Sequence, residues 1–286
     1  MRWLSIRRGR QLAAGLAVAV LIAGCGTSGI GGHGQAAALS PQSSSPRSSL
    51  EQPSARCGAP AAKAAPIRFK ATDGTTLDGV LAGQGSAGVV LVHEYPADLC
   101  GFWPFAVYLS RKHLQVLDID LRCFGRSACP SGSAHGRVID DIAGAVAELR
   151  HRGAQRIALV GASMGGAAVL IAGARLRPRV AAVVALSAEE NPTELVGIPL
   201  NAGAAISQLT VPTMFVVATG DPIAPVSQTR AMYRATKARD KDLEVLSGTY
   251  GGEHGWDLLS ANLYAPMDFT PVTGKIGSFI TSHTRG

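Results

Sequence analysis

Near residue 66 the chain begins to alternate apolar and polar positions, first in "IRFKA" and again in "TLDGVLA", with Asp73-Gly74 between the two runs. Period-two alternation on either side of an Asp-Gly pair predicts a β-hairpin. The pattern then changes. "GVVLVHE" is a continuous, largely β-branched run, as in a strand covered on both faces. "FWPFAVYLSRKH" reads as a helix and "LQVLDIDLR" as a strand. "SAHGRVIDDIAGAVAELRHRG" predicts a long amphipathic helix with Ser133 as its cap and Gly153 as its stop. The strand "RIALVGAS" and the small-residue helix "MGGAAVLIAGARL" come next. "VAAVVALSA", "TMFVVATG" and "LEVLSG" give further strands, with helices around Gln228–Arg239 and Thr273–Thr284. A leading hairpin followed by strands alternating with helices predicts an α/β fold: an open, mostly parallel sheet with helices on both faces.

The preceding region has a different character. "MRWLSIRRGR" carries four arginines and no acid, and "LAAGLAVAVLIAG" follows as an apolar stretch too short for a bilayer span. It runs into Ile22-Ala23-Gly24-Cys25, which resembles the bacterial lipobox. That resemblance implies a cleaved signal peptide over residues 1–24, lipid on Cys25, and anchorage at the extracytoplasmic face of the cell membrane. The rival expectation is an uncleaved N-terminal membrane helix. Arg7-Arg8 adds a hint of twin-arginine export. Residues 25–65 are rich in Ser, Pro, Gly and Ala, a composition that buries too little apolar surface to offset its ordering entropy. The expectation is a flexible tether, followed by one domain over residues 66–286.

Charge follows from this division. The chain carries a formal +7. Loss of Arg2, Arg7, Arg8 and Arg10 with the leader would leave +3, and the tether holds Arg47, Arg56 and Lys63 against Glu51 alone. The folded part is then almost neutral, which gives no case for nucleic-acid binding. Besides Cys25, the cysteines are Cys57, Cys100, Cys123 and Cys129. In an exported protein they predict at least one disulfide, with Cys100 the first candidate; three pairings of the four are open.

Candidate chemistry centres on Gly161-Ala162-Ser163-Met164-Gly165, which fits G-x-S-x-G. In a chain this rich in Gly and Ser, chance alone supplies roughly 0.3 such matches, so only context gives the motif weight. Here Ser163 falls at the turn between a buried strand and a helix of small residues. A sharp strand-to-helix turn strains the serine backbone and tolerates only small flanks. The helix that follows aims free N–H groups at any anion formed over the serine.

With that placement, residues 66–286 resemble the α/β-hydrolase family. The resemblance implies a triad in the order serine, acid, histidine, each after a strand. "TMFVVATGDPIAP" delivers Asp221, with Pro222 and Pro225 in the family's Asp-Pro-x-x-Pro spacing, and "LEVLSGTYGGEHGWDLL" delivers His254. Ser163 would then be the nucleophile, His254 its general base and Asp221 the orienting acid. Asp240, Asp242 and Glu253 are competing acids, and His93 and His135 precede the serine, the wrong order for this family. The oxyanion donors implied are the backbone N–H groups of Met164 and Tyr95. Glu94, in "VHEYPADLC", is similar to the dienelactone-hydrolase branch and suggests a resting-state contact with Ser163, although that branch uses a cysteine nucleophile. "DLRCFGRS" is similar to a structural turn of the family, with Cys123 where glycine is usual. "HEYP" is not H-E-x-x-H and the histidines lack ligand spacing, so neither metal nor cofactor is expected.

The function so implied is a serine hydrolase, a carboxylesterase acting through an acyl-enzyme on small-molecule esters. Thioesterase, amidase or peptidase chemistry could use the same triad, and a non-catalytic lipoprotein binding module could use the same fold. The stretch between Ser187 and Thr213 must also hold the helix of about ten residues that the fold expects there, which leaves room only for a short lid. The corresponding expectation is a shallow acyl site favouring short to medium chains.

Overall fold

The computed structural model describes residues 52–58, 64–247, 253–262 and 267–285. The expected leader, Cys25 and most of the expected tether lie outside them. The hairpin forms as expected from β1 (Ala64–Lys70) and β2 (Thr76–Ala82), antiparallel, with Gly74 at a φ of 88° in the turn. The remaining strands are β3 (Ala87–Val92), β4 (Leu114–Ile119), β5 (Arg156–Ala162), β6 (Ala182–Leu186), β7 (Thr213–Ala218) and β8 (Lys241–Leu246). They build one eight-stranded sheet in the order β1-β2-β4-β3-β5-β6-β7-β8. β2 runs antiparallel to β4, and every pairing from β4 to β8 is parallel. Sequential strands β3 and β4 exchange places, so β3 lies beside β5 and the chain is wound in both directions from it.

Two cores cover the sheet. Alternate residues of each central strand feed opposite faces: Leu159 and Val183 belong to one core, Val160 and Val184 to the other. The first face takes α3 (Val138–His151), α4 (Met164–Arg175) and Met232 of α7 (Val226–Ala235). The second takes α2 (Trp103–Ser110) and α8 (Pro271–Thr284). Burial on both faces explains why β3, β5, β6 and β7 read as largely apolar runs, whereas β4 also buries Gln115 and Asp118. β8 is an edge, half-buried along most of its length, and carries Asp242 and Glu244. Charge of this kind discourages pairing with another chain.

Three expectations need correction. Ser133 does not cap a long helix: residues 132–136 form a 3₁₀ turn, and α3 starts at Val138 with no side-chain cap. The turn is held instead by Arg122, whose guanidinium binds Asp141 at 2.6 Å, Asp73 at 2.8 Å and the Ala134 carbonyl. The second concerns the connection after β6, which makes no ten-residue helix. It forms two single turns, α5 (Thr193–Val196) and α6 (Ala202–Ala205), then a 3₁₀ turn over Ile206–Gln208. Pro192 and Pro199 bracket the first turn, and proline cannot donate to a continuing helix.

The third concerns residues 52–58, expected in the tether, which hold a helical turn. α1 (Pro53–Cys57) is fastened to the domain by the Cys57–Cys100 disulfide and by Arg56, which reaches Asp98 at 2.9 Å and buried Asp120 at 2.8 Å. A composition that cannot build a core of its own can still dock when a crosslink and a paired arginine hold it. The second disulfide joins Cys123 to Cys129.

Candidate active site

Ser163 stands between β5 and α4 with a φ of 50° and a ψ of −115°, a conformation that costs a non-glycine residue energy. The surrounding backbone is too tight for it to relax. A Cβ on Gly161 would strike the Gly165 carbonyl, and one on Gly165 would strike the carbonyls of Val92 and His93. The serine N–H donates to Leu186 O at 2.9 Å, tying the turn to the end of β6. These glycines therefore let α4 begin directly against the end of β3. Its first amides, Met164 among them, have no preceding turn to bond to.

Asp221 and His254 come from loops after β7 and β8 and meet at 2.8 Å, Nδ1 to Oδ1. The same carboxylate oxygen accepts from the Ile223 and Ala224 amides at 2.9 and 2.8 Å, so the Asp-Pro-x-x-Pro turn fixes the side chain. Burial works to raise the Asp221 pKa, but the His254 bond and those two amides, with the Ser187 hydroxyl nearby, hold it below the usual carboxylate value. Burial likewise works to lower His254, but the Asp221 bond and the nearby charges of Glu94 and Glu189 raise it above 6.5.

The Ser163 hydroxyl has a partner that sequence reasoning missed. Its Oγ lies 3.5 Å from Glu189 Oε1, two residues beyond Ser187. The sequence signal was available: "SAEE" closes a buried strand with two acids, at the end where the other site residues emerge. Glu94 does not take up the expected contact with Ser163. Its Oε2 accepts from the Trp256 amide at 3.3 Å and sits on Gly255, where any Cβ would collide with it. Gly255 has a φ of 59°, so the position needs glycine for conformation and for space. Burial pushes the Glu94 carboxyl up to about 7, against the pull of His254 and the Trp256 amide.

Trp256 anchors the histidine loop. Its ring lies over Gly101, whose Cβ position it fills, and meets Phe102 edge-on at 5.5 Å. Cys100, next to Gly101, carries the crosslink to Cys57. Tyr95 is exposed, and its ring meets Phe124 edge-on at 5.9 Å. His93 is fully buried; Nε2 accepts from the Leu121 amide at 3.1 Å and Nδ1 donates to Glu94 O at 2.8 Å. With both nitrogens bonded to backbone it binds the ends of β3 and β4 together. His135 lies beside the second disulfide, 3.1 Å from Cys123 Sγ. These three residues place ligand-type atoms within 4.8 Å of one another, but both sulfurs are committed to the disulfide.

Sheet order, the β5–α4 turn and the loops after β7 and β8 define an α/β-hydrolase fold. Comparison with known proteins agrees. The alpha/beta hydrolase fold family matches residues 89–202. The chain is similar to the Pyrococcus furiosus esterase Pf2001, with a TM-score of 0.67 and 16% identity over 79% of this chain and 92% of that one. It is also similar to an esterase from Exiguobacterium antarcticum, with a TM-score of 0.60 and 16% identity over 76% and 100% of the two chains. At such identities the likeness is one of fold. In sequence it is 32% identical to the uncharacterized protein YfhR of Salmonella typhimurium over 122 residues, 39% of this chain. The chain spans 41% of the length of that relative.

Proposed function

We propose that the protein is a serine hydrolase, a carboxylesterase acting through an acyl-enzyme, with Ser163 as nucleophile, His254 as base and Asp221 as its orienting acid. The observation that carries this reading is the convergence of a strained serine and a paired histidine. Ser163 holds a positive φ between obligatory glycines, while His254 is bonded to a buried carboxylate and feels the charge of Glu189, the serine's own neighbour. A serine hydroxyl is a weak nucleophile near neutral pH, so His254 would take its proton during attack and return it to the leaving group. Asp221, bound at Nδ1, leaves Nε2 as the atom that accepts the proton. The amides of Met164 and Tyr95 would face the oxyanion.

Labelling by a fluorophosphonate that is lost in Ser163→Ala tests the assignment; a fold-intact protein that labels elsewhere, or not at all, overturns it. The acyl preference follows from the connection after β6. Its Ile198, Leu200 and Ile206 are buried, so it packs down on the domain and provides little lid. Each methylene contributes about 0.8 kcal/mol only while buried, so kcat/KM across p-nitrophenyl esters should peak at short to medium chains. A maximum at palmitate would contradict this.

The location proposed is the extracytoplasmic face of the membrane, through lipid on Cys25. Two disulfides support it, since such bonds persist in oxidising compartments. Cys25→Ser should move the protein out of the membrane fraction; unchanged partition would favour an uncleaved helix.

A further inference from the structure

One recess opens beside the nucleophile. It holds about 280 Å³ between the loops after β6 and β7 and is lined by Glu189, Glu190, Asn191, Asn201, Ile223 and Gln228. Glu189 belongs to both places, since its carboxyl also meets the Ser163 hydroxyl. A group held in this recess is thus one side chain away from the serine. Five of its six lining residues are polar, which is unlike a pocket for an alkyl chain.

The hydrogen-bonding capacity is mixed in sign. Asn201 Oδ1 accepts from the Ala204 amide at 2.7 Å, and Asn191 Oδ1 accepts from the Thr193 hydroxyl at 2.6 Å. With both oxygens occupied, each asparagine offers NH₂ donors, and among the described residues neither NH₂ group has a partner. Glu189 and Glu190 supply acceptors, and Gln228 supplies both. Glu190 is set in place by its own backbone, which accepts from the Gly203 amide at 3.0 Å, and its side chain lies where a Cβ on Gly203 would be. A hydroxyl both donates and accepts, so a group bearing several hydroxyls can satisfy donors and acceptors side by side. An ammonium ion would meet the asparagine N–H groups as like dipoles, and a carboxylate would meet two glutamates.

We infer that this recess binds a polyol portion of the substrate, so that the preferred esters carry vicinal hydroxyl groups on the acyl or the alkoxy side. This deepens the hydrolase reading and rests on it. Ile223, exposed at the rim, gives the carbon skeleton of such a group one apolar contact.

The test is a matched set of esters. Glyceryl monobutyrate against n-propyl butyrate varies hydroxyls on the alkoxy side, and methyl 3,4-dihydroxybutyrate against methyl butyrate varies them on the acyl side. At least one hydroxylated member should exceed its alkyl counterpart in kcat/KM by about tenfold, the order expected from one or two added hydrogen bonds. In Glu190→Leu/Gln228→Leu that ratio should collapse towards one; the ratio, not the absolute rate, is the readout. Ratios of one or less in both pairs, or a ratio that survives the double substitution, would overturn the inference. So would a preference for 3-(trimethylammonio)propyl butyrate over the glyceryl ester, which would make this a cation site. Turnover of propyl butyrate with fluorophosphonate labelling of Ser163, in the same preparation, assigns any such failure to the recess and not to the hydrolase reading. If turnover and labelling are both absent, the hydrolase reading falls. Calorimetric binding of a glyceryl ether against a propyl ether then decides the recess, with no glyceryl preference overturning it.

Discussion

The β5–α4 unit and the connection after β6 lie side by side at the end of the sheet and are built on opposite plans. From Ile157 to Ala174 every residue of the first is buried, and its shape is set by glycines and alanines that let backbone touch backbone. The second runs from Ser187 to Leu209, breaks at prolines into single turns, and presents Glu189, Glu190, Asn191 and Asn201 to a recess. One region fixes Ser163 to a narrow geometry because no alternative packing exists. The other places polar groups beside it on short turns, each held by one or two hydrogen bonds. Rigidity serves the chemistry, and a loosely built polar surface is where substrate selection can change without disturbing it.

Six substitutions, in four steps of expected effect, probe that contrast. The largest effect is expected at the proposed nucleophile: Ser163→Ala should cut ester hydrolysis by about 10³-fold or more with the fold intact, because the members of such a triad work as a unit. Asp221→Asn should cost less but still several decades; near-full activity would mean another acid orients His254.

Next comes the packing that holds the turn. Gly165→Ala puts a methyl group against the carbonyls of Val92 and His93, backbone atoms that cannot step aside. A loss of about 3 kcal/mol or more is expected, in the range of severe overpacking, and denaturant unfolding measures it. A stable, active Gly165→Ala would show the unit to be far softer than its contacts imply.

The third effect is electrostatic. In the role proposed for it His254 is a base only when neutral, and its pKa is raised, so kcat/KM should climb with pH through a value above 6.5. Glu94→Gln and Glu189→Gln each remove a negative neighbour and should move that limb to lower pH, by about half a unit to one unit. Movement to higher pH would contradict the assignment. Glu94 also links pH to stability. Its folded-state pKa lies above the usual 4.5, so its contribution is fully present at low pH and is lost as pH rises to about 7. Stability of Glu94→Gln should accordingly decline less over that window.

The smallest effect is expected in the second region. Asn201→Ala removes the cap of α6 and should cost about 1 kcal/mol in unfolding free energy. Activity on simple alkyl esters should change far less than with Gly165→Ala.

What the sequence by itself determined is the part governed by periodicity and local backbone chemistry. Alternation around Asp73-Gly74 specified the hairpin, and apolar runs specified most of β3 and β5 to β7, because burial on two faces favours apolar residues; β4 is the exception, with Gln115 and Asp118 buried in it. Glycines at 161 and 165 marked the turn, since sterics alone restrict what can flank Ser163. Chain order and a place directly after a buried strand made Asp221 and His254 the candidates among several acids and histidines, and the two do meet at 2.8 Å. Other features needed the tertiary structure, because they join residues far apart through contacts that carry no local signature. Cys57 could pair in three ways until α1 was seen against Cys100. Glu94 was expected at Ser163, but Gly255 and Trp256, more than 160 positions on, offer its carboxyl a closer seat. Glu189 and Asn201 fall in the stretch where the sequence predicted only a helix and a short lid. The downward packing of Leu200 and Ile206 sets the two beside the same recess, a juxtaposition of side chains that no local pattern encodes.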